Sequence, residues 1–220
     1  FECAEKFLQS KNGNLVGIIN THAHFDHIGG NAQLFEKYKC DIFVYQDALD
    51  VIPCATQGIK EGHIFSFGDD ELKVIFTPGH TKFDICLLHS HKGKEVGLFV
   101  GDTLFSAGVG NCINGGDPEV LFESITKLQA MLDDDIKLYY FHEYLKNNIG
   151  FTLSLTPNNK TAQNILSSIS SNNFDSTLGV DKKINTFLNL DSLVIREALN
   201  MKLASNKEVF LGLRKLRNKW

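Results

Sequence analysis

The chain has no apolar run approaching the roughly 20 residues that cross a bilayer as a helix, so no membrane partner is expected. Basic excess is missing too: a net charge of −4 offers no global positive field for nucleic acid. There is no C-x-x-C pair. The five cysteines (Cys3, Cys40, Cys54, Cys86, Cys112) are odd in number and scattered, as free thiols in a reducing compartment are. Residues 1–12 lack the long apolar centre of a signal peptide, and the chain starts without methionine. A cytoplasmic location is expected, with an organelle form carrying a cleaved presequence, or a truncated chain, as alternatives. Internal repeats are lacking. With 43% hydrophobic and 22% charged residues, 220 residues suffice for one large or two modest domains with a real core.

What the chain does have is concentrated in Thr21-His22-Ala23-His24-Phe25-Asp26-His27-Ile28-Gly29-Gly30-Asn31. Three imidazoles and a carboxylate fall within six residues, and both groups bind zinc at about 2.0–2.2 Å. The apolar, β-branched run at 15–20 ahead of them reads as a strand, whose end is where an α/β sheet presents functional loops. Alternate residues of an extended stretch point the same way, so His22 and His24 reach one metal together. Asp26 and His27 lie past the bend and face a second. Gly29-Gly30 lets the backbone turn before a helix. One or two histidines would suit a solvated polar loop; four ligand-type residues at this spacing indicate metal.

Further along, residues 31–39 read as a helix with Ala32, Phe35 and Glu36 on one face. Residues 41–45 read as a buried strand and the aperiodic 53–62 as a surface loop. Residues 63–67 and 72–76 flank Gly68-Asp69-Asp70-Glu71 as a hairpin, and 84–89 with 96–100 form another across Lys92-Gly93-Lys94. Asp117-Pro118-Glu119 starts a helix by a capping carboxylate and an N1 proline, with Leu121, Phe122, Ile125, Leu128 and Leu132 as its inner stripe. Residues 136–141 are the last clear strand. Helices with polar breaks follow. Thr156-Pro157 opens one, striped by Ala162, Ile165, Leu166 and Ile169. A polar loop spans 170–175, Asp191 or Ser192 starts another helix, and Ser205-Asn206-Lys207-Glu208 is a capping box for the last. Strands followed by helices predict an α+β chain, with one domain over 1–150 and a helical one over 151–220.

Three more strand ends carry ligand chemistry: His80 in Thr77-Pro78-Gly79-His80-Thr81, Asp102 in Gly101-Asp102-Thr103-Leu104-Phe105, and His142 in His142-Glu143-Tyr144. Singly, each suits a turn or a satisfied polar group. Together they raise the candidate ligands to seven: His22, His24, Asp26, His27, His80, Asp102 and His142. The remaining histidines, His63, His89 and His91, read as surface or strand residues.

THAHFDH followed by GGN, TPGHT, GDTLF, HEY followed by NN, and Thr156-Pro157-Asn158 resemble the metallo-β-lactamase superfamily. Residues 176–178, 185–187 and 213–217 resemble the helical domain of its glyoxalase II (hydroxyacylglutathione hydrolase) group. That resemblance implies an αββα sandwich with a C-terminal helical domain, and two divalent metal ions, zinc with iron or manganese as alternatives. One metal would take His22, His24 and His80, the other Asp26, His27 and His142, with Asp102 bridging. It also implies hydrolysis of an acyl-glutathione thioester such as S-lactoylglutathione to a 2-hydroxy acid and free thiol, by a monomer. Asp26 would orient the attacking hydroxide, and Tyr144, Arg214 and Arg217 would hold the substrate. The i, i+3 spacing of Arg214 and Arg217 gives them one helix face, and arginine's fork suits a carboxylate. The plain alternative is a solvated basic face on a helix packed through Phe210, Leu213 and Trp220.

The chain departs from the group in three ways. Strands that precede the metal loop in the group are not present, so residues 15–19 are expected at a free sheet edge. Asn111 and Ile113 stand where the group has a basic residue and an aromatic that touch glutathione. Phe141 stands where a small residue is common. Rival readings are a persulfide dioxygenase of the same superfamily, against which the helical tail argues, and an RNA-cleaving nuclease, against which the charge argues. A third is a metal-binding fragment without turnover.

Overall fold

Strand alternation sorts the apolar residues of this chain into layers. In residues 41–45, Ile42 and Val44 are buried on one face, while Phe43 and Tyr45 face the other way. In residues 74–88, Val74, Ile85 and Leu87 join Phe43 and Tyr45 in one cluster, whereas Ile75, Cys86 and Leu88 enter another. Two sheets therefore pack face to face through the first cluster. Helices cover their outer faces, which is the expected αββα sandwich.

The computed structural model describes residues 1–168 and 176–220. The expected stripe residue Ile169 and the loop at 170–175 fall outside the described residues. The chain begins with α1 (Glu2–Lys11), β1 (Gly17–Ile19), the one-turn α2 (Phe25–Ile28), α3 (Asn31–Tyr38) and β2 (Asp41–Tyr45). Then come β3 (Gln57–Ile59), β4 (Ile64–Phe67), β5 (Asp70–Phe76), β6 (Ile85–His91), β7 (Lys94–Phe99) and a small hairpin, β8 (Leu104–Phe105) with β9 (Gly108–Val109). Next are α4 (Pro118–Met131), β10 (Lys137–Tyr139), α5 (Leu145–Leu155), α6 (Lys160–Ser168) and β11 (Ser176–Thr177). The last are α7 (Leu178–Ile184), α8 (Leu193–Ala198) and α9 (Asn206–Arg217).

The first sheet is parallel, in the order β1-β2-β3. Its edge at β1 has no strand partner among the described residues, and Val16 beside it is 73% exposed. The second has the order β11-β10-β7-β6-β5-β4. Because β6 is antiparallel to both β5 and β7, and β10 is parallel to β7, the strands β5, β7 and β10 run the same way. Their C-terminal ends therefore lie along one sheet edge, and the segments after them carry His80, Asp102 and His142.

The surface loop expected at 53–62 contains β3. Only Ile59 of that strand is buried, so hydrophobicity leaves no period; pairing with β2 makes it a strand. The sequence also gives no sign of α1, fastened to α3 where Glu5 accepts hydrogen bonds from Lys37 and, at 2.6 Å, Tyr38. Helix α5 runs straight through residue 150, where the change of composition places the domain division. We propose that the helical unit starts instead at the turn before α5. That unit is not packed separately. Phe151, Leu178, Phe187, Val209, Phe210 and Leu213 share one core with Leu88, Leu98, Leu121 and Ile125, and β11 is the edge strand beside β10.

Two of the expected helix starts are as read, while the helix expected to open at Thr156-Pro157 begins at Lys160, where Asn159 Oδ1 accepts from the Ala162 amide. Asp117 caps α4 by accepting from the amides of Glu119 and Val120, and Ser205 and Glu208 close the capping box of α9.

Candidate metal centre

All seven candidate ligands converge where the strand ends of the two sheets meet. His24 Nδ1 lies 2.9 Å from His80 Nε2, and His27 Nε2 lies 3.4 Å from His142 Nε2. Asp26 Oδ2 is 3.1 Å from His142 Nε2. Asp102 sits centrally, with Oδ1 3.2 Å from His27 Nε2, and Oδ2 3.5 Å from both His80 Nε2 and His142 Nε2. Three overlapping triads each bring their ligand atoms within 4.8 Å of one another: His22-His24-His80, His22-His27-Asp102 and Asp26-His27-His142.

Local structure explains the convergence. β1 ends before His22, and α2 turns Asp26 and His27 back toward the strand end. Asn20 and Asn31 tie the two ends of this loop together, donating to each other's side-chain oxygens. Gly79 has φ +137°, and a Cβ there would lie 2.3 Å from the Leu121 Cα, so only glycine lets the His80 loop pass α4. Thr77 Oγ1 and Thr103 Oγ1, 2.9 Å apart, join the loop of His80 to that of Asp102. Asp84, buried and raised to about 6 by that burial, accepts from the amide and hydroxyl of Thr81.

The electrostatics suit cations. Burial, then the neighbouring imidazoles, push His22 down to about 2, so its ring is neutral at any ordinary pH. Burial likewise lowers His80, against the raising influence of the Asn111 carbonyl and Asp102. His22 Nε2 and Asp102 Oδ1 are buried without a hydrogen-bond partner among the described residues. Buried polar atoms are normally satisfied. Two orphans in the middle of a neutral-imidazole and carboxylate cluster fit divalent cations, whose ligands are deprotonated nitrogen and oxygen.

Beside the cluster lies a cavity of about 320 Å³, lined among others by Tyr144, Arg214, Arg217, Asn111 and Ile113. The three expected substrate residues and the two unusual positions thus surround one space. Tyr144 stacks on His142 with centroids 5.1 Å apart and planes 14° apart. Arg217 Nη2 donates to Asn148 Oδ1 at 3.2 Å, and its guanidinium lies 5.3 Å from the Trp220 ring. Arg214 is buried at 6% exposure, and burial lowers it to about 10, leaving it charged at neutral pH. Its Nη1 donates to the carbonyls of Val109 and Gly110, both at 3.1 Å, and Nε donates to Asn218.

Several contributors leave no signal in the sequence. The clearest is the backbone carbonyl of Asn111, which accepts from His80 Nδ1. Another is a buried polar group behind the β8–β9 hairpin, where Asp181 accepts from the Ala107 amide at 2.7 Å and from Asn185 at 2.9 Å.

A sandwich with this cluster at its sheet edge defines the metallo-beta-lactamase superfamily, whose profile matches residues 4–53. ETHE1 from Myxococcus xanthus superposes with a TM-score of 0.69 at 19% identity, covering 99% of this chain and 76% of that one. A metallo-beta-lactamase from Staphylococcus aureus gives 0.64 at 20% identity, covering 98% and 61%. Such identities speak to fold alone. Residues 143–220 match the profile described as hydroxyacylglutathione hydrolase C-terminus. The hydroxyacylglutathione hydrolase of Nitrosococcus oceani is 40% identical over 222 residues, 96% of this chain and 84% of that protein. The one from Polaromonas sp. is 36% identical over 221 residues, covering 96% and 83%. The chain belongs to the hydroxyacylglutathione hydrolase family.

Proposed function

We propose that this chain hydrolyses the thioester of an acyl-glutathione such as S-lactoylglutathione, releasing a 2-hydroxy acid and the free thiol. The observation that carries the reading is the convergence of seven ligand-type side chains beside a cavity lined by two arginines, in a member of this family. His22, His24 and His80 would hold one divalent cation and Asp26, His27 and His142 a second, with Asp102 between them; zinc is our choice of metal. When bound, such cations supply Lewis acidity, which lowers the pKa of water and polarises a carbonyl.

The protein's own groups do the rest. Asp26, half exposed at the mouth, accepts a hydrogen bond from the attacking water and directs its lone pair toward the substrate carbonyl. Arg214, Arg217 and Tyr144 hold the anionic thiol portion in the cavity. A thiol leaves as thiolate with a pKa near about 8.5, so no dedicated general acid is required. Asn111 and Ile113 supply no charge to this grip, which makes it looser than a basic and aromatic pair would.

The family assignment favours the hydrolase over the dioxygenase and nuclease alternatives. We also read the chain as a monomer of the cytoplasm, in keeping with five free cysteines. Among the described residues no helix is long and apolar enough to cross a membrane. The test is hydrolysis of S-lactoylglutathione by the chain loaded in turn with zinc, manganese or iron, with metal content measured alongside. Failure of every loaded form to release thiol overturns the proposal and leaves a metal-binding protein without turnover.

A further inference from the structure

We propose that Asn111 is a positioning residue for the metal centre: its side chain closes the turn that sets the backbone carbonyls of Asn111 and Asn114 against His80 and His24. This rests on the metal centre proposed above and gives Asn111 a task in it besides lining the cavity.

The segment from Gly110 to Gly116 contains no helix or strand, yet both its ends are tightly confined. A Cβ on Gly110 would lie 2.3 Å from the carbonyl oxygen of Asp102, and one on Gly116 would lie 2.3 Å from those of Gly79 and His80. Between these close approaches the chain must turn. Asn111 Oδ1 accepts from the Ile113 amide at 3.1 Å, the local hydrogen bond by which asparagine shapes a turn. Cys112 packs against the core, whereas Ile113 is 69% exposed. The orientation of the peptide groups after Cys112 therefore falls to the Asn111 side chain.

The turn presents two acceptors. The Asn111 carbonyl lies 2.6 Å from His80 Nδ1, and the Asn114 carbonyl lies 3.5 Å from His24 Nε2, the outer reach of a hydrogen bond. Carbonyls only accept, so each draws the proton of its imidazole to the nitrogen facing the turn. The other two nitrogens, His80 Nε2 and His24 Nδ1, then face each other as lone pairs 2.9 Å apart. Lone pairs that close repel unless a cation lies beside both, and both residues belong to the His22-His24-His80 triad. One short turn thus sets the tautomers of two members of that triad, the task of outer-shell partners in metal sites.

A side chain at 111 that only touched substrate would act on KM. One that closes the turn acts on the metal with or without substrate, and only an acceptor of the same reach replaces it.

The test compares Asn111→Asp and Asn111→Leu in the full chain, with zinc affinity measured by competition against a chromophoric chelator. Asn111→Asp keeps the acceptor and should hold zinc at least as tightly as the native chain. Asn111→Leu, of similar size without an acceptor, should lose about ten- to a hundredfold in zinc affinity, with its circular dichroism unchanged. Nitrogen–proton correlation NMR of the metal-free chain reads the tautomers at about pH 8.5, where imidazoles are neutral. His80 should carry its proton on Nδ1 in the native chain and in Asn111→Asp, and show mixed tautomers in Asn111→Leu. Negative charge alone at 111 would not restore that tautomer. Native zinc affinity or a native His80 tautomer in Asn111→Leu overturns the inference, and a change in KM alone makes Asn111 a substrate contact. A native chain that binds no zinc overturns the metal reading instead, and the His80 tautomer in Asn111→Leu still decides the role of the turn.

Discussion

The ring of His80 is held from behind by the backbone carbonyl of Asn111, which lies 2.6 Å from Nδ1. A carbonyl only accepts, so Nδ1 carries the proton and Nε2 turns its lone pair into the ligand cluster, 2.9 Å from His24 Nδ1. An outer hydrogen bond of this kind fixes the tautomer of a ligating histidine. The two carbonyls before Asn111, those of Val109 and Gly110, are in turn held by Arg214. A line of contact thus runs from the last helix to a candidate ligand.

Arg214→Ala should therefore do more than weaken substrate use. It strands two buried carbonyls that had charge-assisted donors, at about 1.5–3 kcal/mol each before relaxation. A fall in melting temperature and weaker metal retention should accompany a rise in KM. Arg217→Ala, on the cavity's more exposed side, should raise KM by roughly tenfold or more with kcat little changed. Equal effects of the two on stability would place Arg214 among the substrate contacts only.

Stripping divalent metal with a chelator should lower the melting temperature, because His22 Nε2, buried without a hydrogen-bond partner among the described residues, then stays unsatisfied in the folded state. Zinc added back should restore it. A melting curve indifferent to chelation would argue against His22 and Asp102 as ligands. Asp102→Asn, with one oxygen fewer to share, should bind less than the native complement in elemental analysis.

Asp181, away from the ligand cluster, should make stability depend on pH. Burial raises its carboxyl to about 7, against the lowering influence of Asn185 and the Ala107 amide. Between about pH 4 and pH 7 the folded chain keeps a proton that the unfolded chain has released. This residue's contribution to stability is therefore full at the acid end and declines as pH rises through the window. Denaturant midpoints across that range should show a decline that Asp181→Asn reduces. An identical slope in both proteins would mean that Asp181 ionises normally.

Gly110→Ala should disturb the site without touching a ligand. A Cβ there would lie 2.3 Å from the Asp102 carbonyl oxygen and 3.0 Å from His80 Nδ1. Backbone cannot yield that far cheaply, so the loop must move and take the Asn111 carbonyl with it. Reduced metal affinity at near-native helix content is the expected outcome, read by metal titration and circular dichroism.

Much of this centre was legible in the sequence because its candidate ligands follow apolar strands and are imidazoles and carboxylates. The His22–His27 loop, His80, Asp102 and His142 could each be placed at a strand end by local pattern alone. β3 could not, since Gln57 and Gly58 are exposed and pairing with β2, not hydrophobicity, makes the strand. Nor could the bracing role of Arg214. Its spacing from Arg217 locates both on one helix face, but burial against Val109 and Gly110 is a contact over a hundred residues away. The polar group around Asp181 was invisible for the same reason: a buried aspartate reads like a surface one until its acceptors find their donors.

The placement of β11 bears on how such chains can be recombined. A segment from the helical half hydrogen-bonds beside β10, and the chain leaves β10 directly for His142. Transplanting the last seventy residues from a relative, to import its substrate preference, would also replace the neighbour of a ligand-bearing strand. Chimeras joined in the turn before α5 would set a foreign β11 against the native β10, whereas a joint upstream of β10 keeps that strand pair together.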